Sequence, residues 1–397
     1  MKKSFRRLRP FFLVVTLGFM VPIIMICCNR SSRKNNNQDS KILVIPRTEQ
    51  GTNISASKYF SSIDYIFLAT HPNSIIADVS DIYIIHDTIV IFDRLLSTIF
   101  TFSINGEFIK KIASKIDMTH QINSVNRFND GIIFNINCDS TVRFIDLNGK
   151  SILQMPSSQY KIQFGSVDGK SFWSFFPTAN IEFNDNKYFQ ISDINGKPQG
   201  RYVKSSNDSP EYRSALRTIT YYYDGCFNLF SAETNTIYKI MRNGVLPTYS
   251  FVYEETPMAL YDQKDLFEIN GIVESADQIF VDVIIKRSLH NFVYHKTDDL
   301  IYSIPKIINK LSHVWGINND IDGIYPVWPT FRVDDKILAR VVMAKDIKNF
   351  QAQNCNDEGQ PRIRNDSILN LIANRKPIEN PIIILYHLHN EKENDFD

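Results

Sequence analysis

STIFTFSINGEFIKKI, Ser97 to Ile112, reads as two strands joined by a tight turn. Ile99 to Ile104 leads into Asn105-Gly106, and Glu107 to Ile112 returns with near-alternating apolar and polar residues, as a strand with one packed and one wetter face requires. Asn-Gly suits a two-residue hairpin because both central residues then take positive φ, which Gly does freely and Asn tolerates. Asn148-Gly149, Asn195-Gly196 and Asn243-Gly244 repeat the signal, at glycine-to-glycine steps of 43, 47 and 48 residues. A period near 45 holds four strands, so each repeat reads as one propeller blade.

Working outward, Ile82 to Ile85 and Ile89 to Phe92 are continuously apolar, the pattern of inner strands covered on both faces. Further copies of the repeat run through Gly131 to Leu153, Tyr188 to Gly196 and Phe227 to Tyr253. A fifth spans Gln278 to Ile304 with Asp298-Asp299 at its turn, and a sixth joins Lys336 to Met343 with Ile382 to Leu388 across a polar insertion. The chain is thus expected to be all-β, a six-bladed β-propeller of four-stranded antiparallel blades over residues 54–390. A seventh blade stays open because residues 160–180 hold strands without an obvious place. Helix is predicted at Asp366 to Ala373, capped by Asn365 or Asp366 and stopped by Pro377, and more weakly at Pro257 to Glu268 with Asn270-Gly271 as its C-cap. Residues 391–397 form a polar tail.

Composition narrows the function classes. Lys and Arg total 44 against 43 Asp and Glu, a net charge of +1, without the basic excess of a nucleic-acid binder. Aromatic and hydrophobic fractions of 12% and 43% fit a folded β protein.

The first 28 residues differ in kind. Lys2, Lys3, Arg6, Arg7 and Arg9 precede a sixteen-residue, largely apolar run from Phe11 to Ile26, the order of a secretory signal and shorter than the roughly 20 residues of a spanning helix. Cys27-Cys28 follows, and the junction resembles a bacterial lipobox with Cys28 as the acylated residue, although Leu and a small residue before the cysteine are missing. An uncleaved membrane anchor is the alternative. Residues 29–53 read as a flexible tether, polar, basic and Asn-rich from Asn29 to Ser40. Cys138, Cys226 and Cys355 are too few and too scattered for a disulfide framework or a zinc site and read as single thiols.

Three passages together resemble the six-bladed β-propeller lipoproteins abundant in Bacteroidetes, related to propellers of the NHL type. Ile63 to Leu68 followed by Ile75 to Val79 is similar to that family's opening blade. Asn319-Asp320-Ile321-Asp322-Gly323 with Val327-Trp328-Pro329 is similar to its Asp/Gly-rich loop, and Glu379 to Tyr386 to its closing strand. The resemblance implies a cell-envelope lipoprotein, facing the periplasm or held at the outer membrane. The family's glycine-rich loop after the first hairpin is missing from Ala113 to Asn126, and Ile324 stands where a second glycine is common.

Candidate site residues come from that loop: Asn319, Asp320 and Asp322, with Trp328 as a flat apolar face. Alternate oxygen ligands before a glycine suit a hard cation, but Pro329 occupies the position of the closing glutamate of an EF-hand. The simpler reading is a turn in which Asp and Asn bond their own backbone. Ser166 to Trp173 looks like one misaligned Asp-box, and Trp315 and Trp173 are further stacking candidates. His290 with His295, and His387 with His389, have no carboxylate placed to complete a metal triad, and no hydrolase, nucleotide or zinc-protease motif occurs. The expectation is a monomeric, lipid-anchored propeller without a resident cofactor that binds a small ligand, glycan or partner protein at one mouth of its channel, with no catalysis. The alternative is a calcium-dependent propeller hydrolase or lactonase whose ligands are dispersed over several blades.

Overall fold

The computed structural model describes residues 40–47, 52, 54–114, 121–136, 141–156, 163–166, 171–175, 187–193, 195, 197–204, 219–232, 234–241, 244–254, 267–308, 313–354, 366–376 and 378–389. The chain enters through β1 (Lys41–Ile45), a 3-10 turn at Ala56–Lys58 and β2 (Phe60–Phe67). The first blade is β3 (Val79–Ile85), β4 (Thr88–Asp93), β5 (Thr98–Ser103) and β6 (Phe108–Ser114). The second is β7 (Ile122–Phe128), β8 (Gly131–Ile136), β9 (Thr141–Asp146) and β10 (Ser151–Pro156), and the third β11 (Gln163–Ser166), β12 (Ser171–Phe175), β13 (Lys187–Asp193) and β14 (Pro198–Lys204). Next come β15 (Ile219–Tyr223), β16 (Cys226–Ser231), β17 (Thr236–Met241) and β18 (Gly244–Tyr253). The fourth blade is β19 (Phe267–Glu274), β20 (Gln278–Ile285), β21 (Ser288–His295) and β22 (Leu300–Ile304). A small ladder of β23 (Lys306–Ile308) and β24 (His313–Trp315) precedes β25 (Phe331–Arg332), β26 (Ile337–Val342), α1 (Ala344–Asn354), α2 (Asp366–Asn374) and β27 (Ile382–Leu388).

Strand pairing corrects the expected blade count. Among the described residues five sheets are four-stranded and antiparallel, the fifth a closing blade in the order β2-β27-β26-β25. The expected six four-stranded antiparallel blades therefore become five, and the sheet of β15 to β18 differs because β1 adds in parallel to the outer edge of β18 and makes it five-stranded and mixed, with Leu43 opposite Phe251. Lys41 to Ile45, inside the expected tether, is one Lys followed by four aliphatic residues. Leu43 and Ile45 are fully buried, each worth roughly 1.5–3 kcal/mol, enough to bring the segment onto the sheet. Within 160–180, the described residues 163–166 and 171–175 supply β11 and β12 of the third blade.

The closing blade also takes β2 from the opening passage: Ile63 lies opposite Tyr386 and Tyr65 opposite Ile384. The first and last strands of the propeller are thereby hydrogen-bonded to each other. Asn380 fastens the junction, with Nδ2 donating to Ala69 O at 2.8 Å and Ser74 O at 2.6 Å, while Oδ1 accepts from Ile76 N at 2.9 Å. The core lies between neighbouring sheets. Ile66, Ile89, Phe100 and Ile383 fill the space between the closing and first blades, Val90, Ile132 and Phe134 the next, and Phe144 with Phe172 the one after. Phe230, Val281 and Phe292 join the mixed sheet to the fourth blade, and Phe60, Phe280 and Trp328 join the fourth blade to the closing one.

The Asn105-Gly106 and Asn148-Gly149 turns form, but are built differently from a two-residue hairpin. Gly106 N donates to Ser103 O at 2.9 Å and Ser103 N to Glu107 O at 2.8 Å, with positive φ at Gly106 (+87°) and not at Asn105. Gly149 repeats this on Asp146, with φ +77°. This is a type I turn followed by a left-handed glycine, a three-residue hairpin loop. The residue before the turn sets it: Asp146 Oδ1 accepts from Asn148 N and Lys150 N, both at 2.8 Å, and Asp193 Oδ1 from Asn195 N and Lys197 N, both at 2.9 Å. At the fourth site Met241 cannot cap, and Gly244 continues as a strand residue opposite Met241.

Helix α2 meets its prediction, whereas α1 lies in the insertion read only as polar. Asn270-Gly271, expected to cap a helix, sits inside β19 at a register shift. Most of the weaker helix, residues 255–266, lies outside the described residues, as do Cys27, Cys28, Cys138 and Cys355. Cys226 is a free, half-buried thiol. Among the described residues no helix is long and apolar enough to cross a membrane.

Candidate functional site

The expected site residues lie on the crossover from β24 to β25, residues 316–330. Asn319 organises it: Nδ2 donates to Asp322 Oδ1 at 2.7 Å and Tyr325 O at 2.8 Å, and Oδ1 accepts from Ile321 N and Asp322 N at 3.2 Å. Asp322 also accepts from Ile324 N and, on Oδ2, from the Tyr65 hydroxyl, both at 2.9 Å. Burial pushes the Asp322 carboxyl up, against those donors. Asp320 faces elsewhere, taking Ser57 N at 2.9 Å and the Ser57 hydroxyl at 2.5 Å. The two carboxylates are thus directed to different partners, and among the described residues no group of three His, Cys, Asp or Glu side chains is placed to hold a metal ion.

Trp328 is 3% exposed, stacked edge-on against Phe280, and its Nε1 donates to Asp282 Oδ1 at 2.7 Å. Asn291 Nδ2 donates to the same oxygen at 2.6 Å. Gly271 explains why a glycine interrupts β19: a Cβ there would stand 2.7 Å from Asp282 Oδ2. Burial raises the Asp282 carboxyl to about 6, opposed by the Trp328 and Arg340 contacts. This is a buried polar joint between two blades. His295 belongs to another: its Nε2 meets the Tyr59 hydroxyl at 2.5 Å and its Nδ1 lies 3.4 Å from Asp298.

A different set of residues converges where the innermost strands end. β15 packs against β19 and β19 against β25, so the last residues of three inner strands share one mouth of the propeller. Glu274, 3% exposed, ends β19. Its Oε2 accepts from the Tyr221 hydroxyl at 2.7 Å and its Oε1 from Lys296 Nζ at 2.6 Å, while Lys296 also donates to Ser275 O at 2.7 Å. Arg332, ending β25, donates to Glu274 O and pairs with Asp335. Both cations lie over Tyr223, Lys296 Nζ at 4.2 Å and the Arg332 guanidinium at 4.7 Å from the ring centroid, a distance at which cation–π attraction operates.

The electrostatics follow from burial. It lowers the Lys296 ammonium against the pull of Glu274, and raises the Tyr223 hydroxyl to about 12. Tyr221 is pushed well above its ordinary value, first by burial and then by the Glu274 charge. Tyr222, on the opposite face of β15, is exposed, with Asp335 and Arg127 within electrostatic reach. No motif announces this cluster, because its members come from separate sheets. The available signal was positional: Tyr223, Glu274 and Arg332 each stand just before the turn that leaves an inner strand, and Tyr221-Tyr222-Tyr223 is a tyrosine run at one of them.

A family model described as a domain of unknown function, DUF4934, matches residues 40–387. The chain belongs to the DUF4934 family. Among solved structures, this DUF4934 chain is similar to a protein described as exported, from Bacteroides fragilis, at 13% identity and TM-score 0.67, covering 88% of this chain and 100% of that one. It is also similar to a DUF4221 family member from Bacteroides vulgatus, at 11% identity and TM-score 0.49, covering 83% of this chain and 98% of that one. No curated protein matches it. The first likeness establishes a shared propeller fold, in keeping with the expected resemblance to propellers of Bacteroidetes.

Proposed function

We propose that this DUF4934 chain is an envelope lipoprotein, anchored through Cys28, that binds a polar ligand at the propeller mouth formed by β15, β19 and β25 without transforming it. The observation that carries the reading is the convergence of Tyr223, Lys296 and Arg332 from three sheets around one aromatic ring. Aromatic faces with fixed charged groups beside them are what a binding site needs for both contact area and orientation. The crossover residues Asn319, Asp320 and Asp322 support the mouth by holding the chain that leads into β25, their donors and acceptors being directed within the protein. Trp328 likewise packs a blade joint. A glycan and envelope-extract pull-down with wild type and Tyr223→Ala tests this. Loss of a captured species by the variant, with melting unchanged, is expected; capture retained in full by Tyr223→Ala contradicts it.

A further inference from the structure

Arg332 holds two unlike partners. One side of its guanidinium is fixed on the main-chain carbonyl of Glu274, and the other meets the side chain of Asp335, three residues on in the same turn. The Arg332 side chain is 8% exposed, whereas that of Asp335 is 81% exposed. A nearly buried cation is therefore neutralised by a carboxylate that hangs in water, and an exposed partner of this kind is held weakly. The buried carboxylate of this cluster, Glu274, is already committed to Lys296 and Tyr221. On the opposite face of β15 from Tyr223, Tyr222 is 52% exposed and steadied by its hydroxyl donating to Gly225 O at 2.9 Å, with Asp335 and Arg127 in electrostatic reach.

We infer that Asp335 is a displaceable placeholder, and that the ligand of this mouth is an acidic oligosaccharide whose own carboxylate takes its place on Arg332 while a sugar ring lies on Tyr222. The planar fork of a guanidinium matches a carboxylate in two parallel hydrogen bonds, which a point-charge ammonium does not. Main-chain and aromatic contacts already fix the Arg332 fork, so an incoming carboxylate finds it oriented. A tyrosine face supplies the flat apolar surface that a pyranose ring covers, with its hydroxyl end kept wet. The inference rests on the mouth-binding reading and adds to it the charge of the ligand.

Titration calorimetry of the full chain with a galacturonate trisaccharide and with its methyl ester tests this. The acid binds about tenfold more tightly than the ester, the worth of one charge-assisted pair. Asp335→Asn, an exposed change that leaves the fold alone, strengthens binding of the acid by removing its competitor, and Arg332→Lys weakens it. Equal affinity for acid and ester, both lost in Tyr223→Ala, overturns the charge assignment and leaves the mouth-binding reading standing. Weaker acid binding by Asp335→Asn overturns the placeholder. Failure of both sugars to bind overturns the inference, and the mouth-binding reading then stands or falls on Tyr223→Ala in the pull-down.

Discussion

Gly106 lies so close to the end of β2 that a Cβ on it would stand 2.4 Å from the carbonyl oxygen of Phe67. The Asn-Gly turn of the first blade is thus pressed against the outer strand of the closing blade, and Ala69 N donates to Gly106 O at 2.8 Å across the same gap. Gly149 repeats the contact one blade on, with Ile112 O 3.0 Å from its Cβ position. The repeated turn is an inter-blade staple as well as a hairpin. Gly106→Ala is expected to lose roughly 3 kcal/mol, from left-handed strain plus displaced backbone. Gly225→Ala, left-handed but with open space, loses roughly 1 kcal/mol, and Gly244→Ala, with neither constraint, is near neutral. Urea titrations of the three variants check the order.

Asp146→Ala is expected to cost roughly 1–2 kcal/mol, since two turn amides lose their acceptor. Asp146→Ser, which restores the residue type found at Ser103, recovers part of it. Thermal melts of the pair provide the measurement.

Asp282 predicts a pH dependence. Its carboxyl titrates near 3.8 unfolded and about 6 in the fold, so the native state binds more protons between those values. Stability therefore falls as pH rises from about 4 to 6, by roughly 3 kcal/mol from this group, and stays at the lower level above 6. Asp282→Asn keeps an acceptor for Trp328 and Asn291 and flattens that slope. Denaturation at pH 4, 5, 6 and 7 compares the two proteins.

Calcium is expected to leave the melting temperature unchanged at millimolar concentration. Asp320 is satisfied by Ser57, and Asp322 by Tyr65, Asn319 and Ile324, so an ion would have to displace formed hydrogen bonds. Calorimetry with and without chelator reads the result.

Much of the architecture was legible because it is local. The apolar run of β4, the Asn-Gly spacing and the stripe of α2 each encode their element within a few residues. The misreadings share a cause. Asn270-Gly271 looked like a cap, yet Gly271 answers to Asp282, eleven residues away on the next strand. Lys41 to Ile45 looked like tether because its partner, β18, lies more than two hundred residues downstream. The simpler reading of the loop, a turn in which Asn319 and Asp322 bond their own backbone, is legible because it too is local. Tyr223, Glu274, Lys296 and Arg332 were illegible as a set because ring closure alone brings them together.

Hydrogen exchange of the full chain with and without a captured glycan tests the mouth most directly. Protection confined to the ends of β15, β19 and β25, around Tyr223, Glu274 and Arg332, is the predicted result. Protection centred instead on the Asn319 to Trp328 crossover, with those strand ends unchanged, would contradict the account.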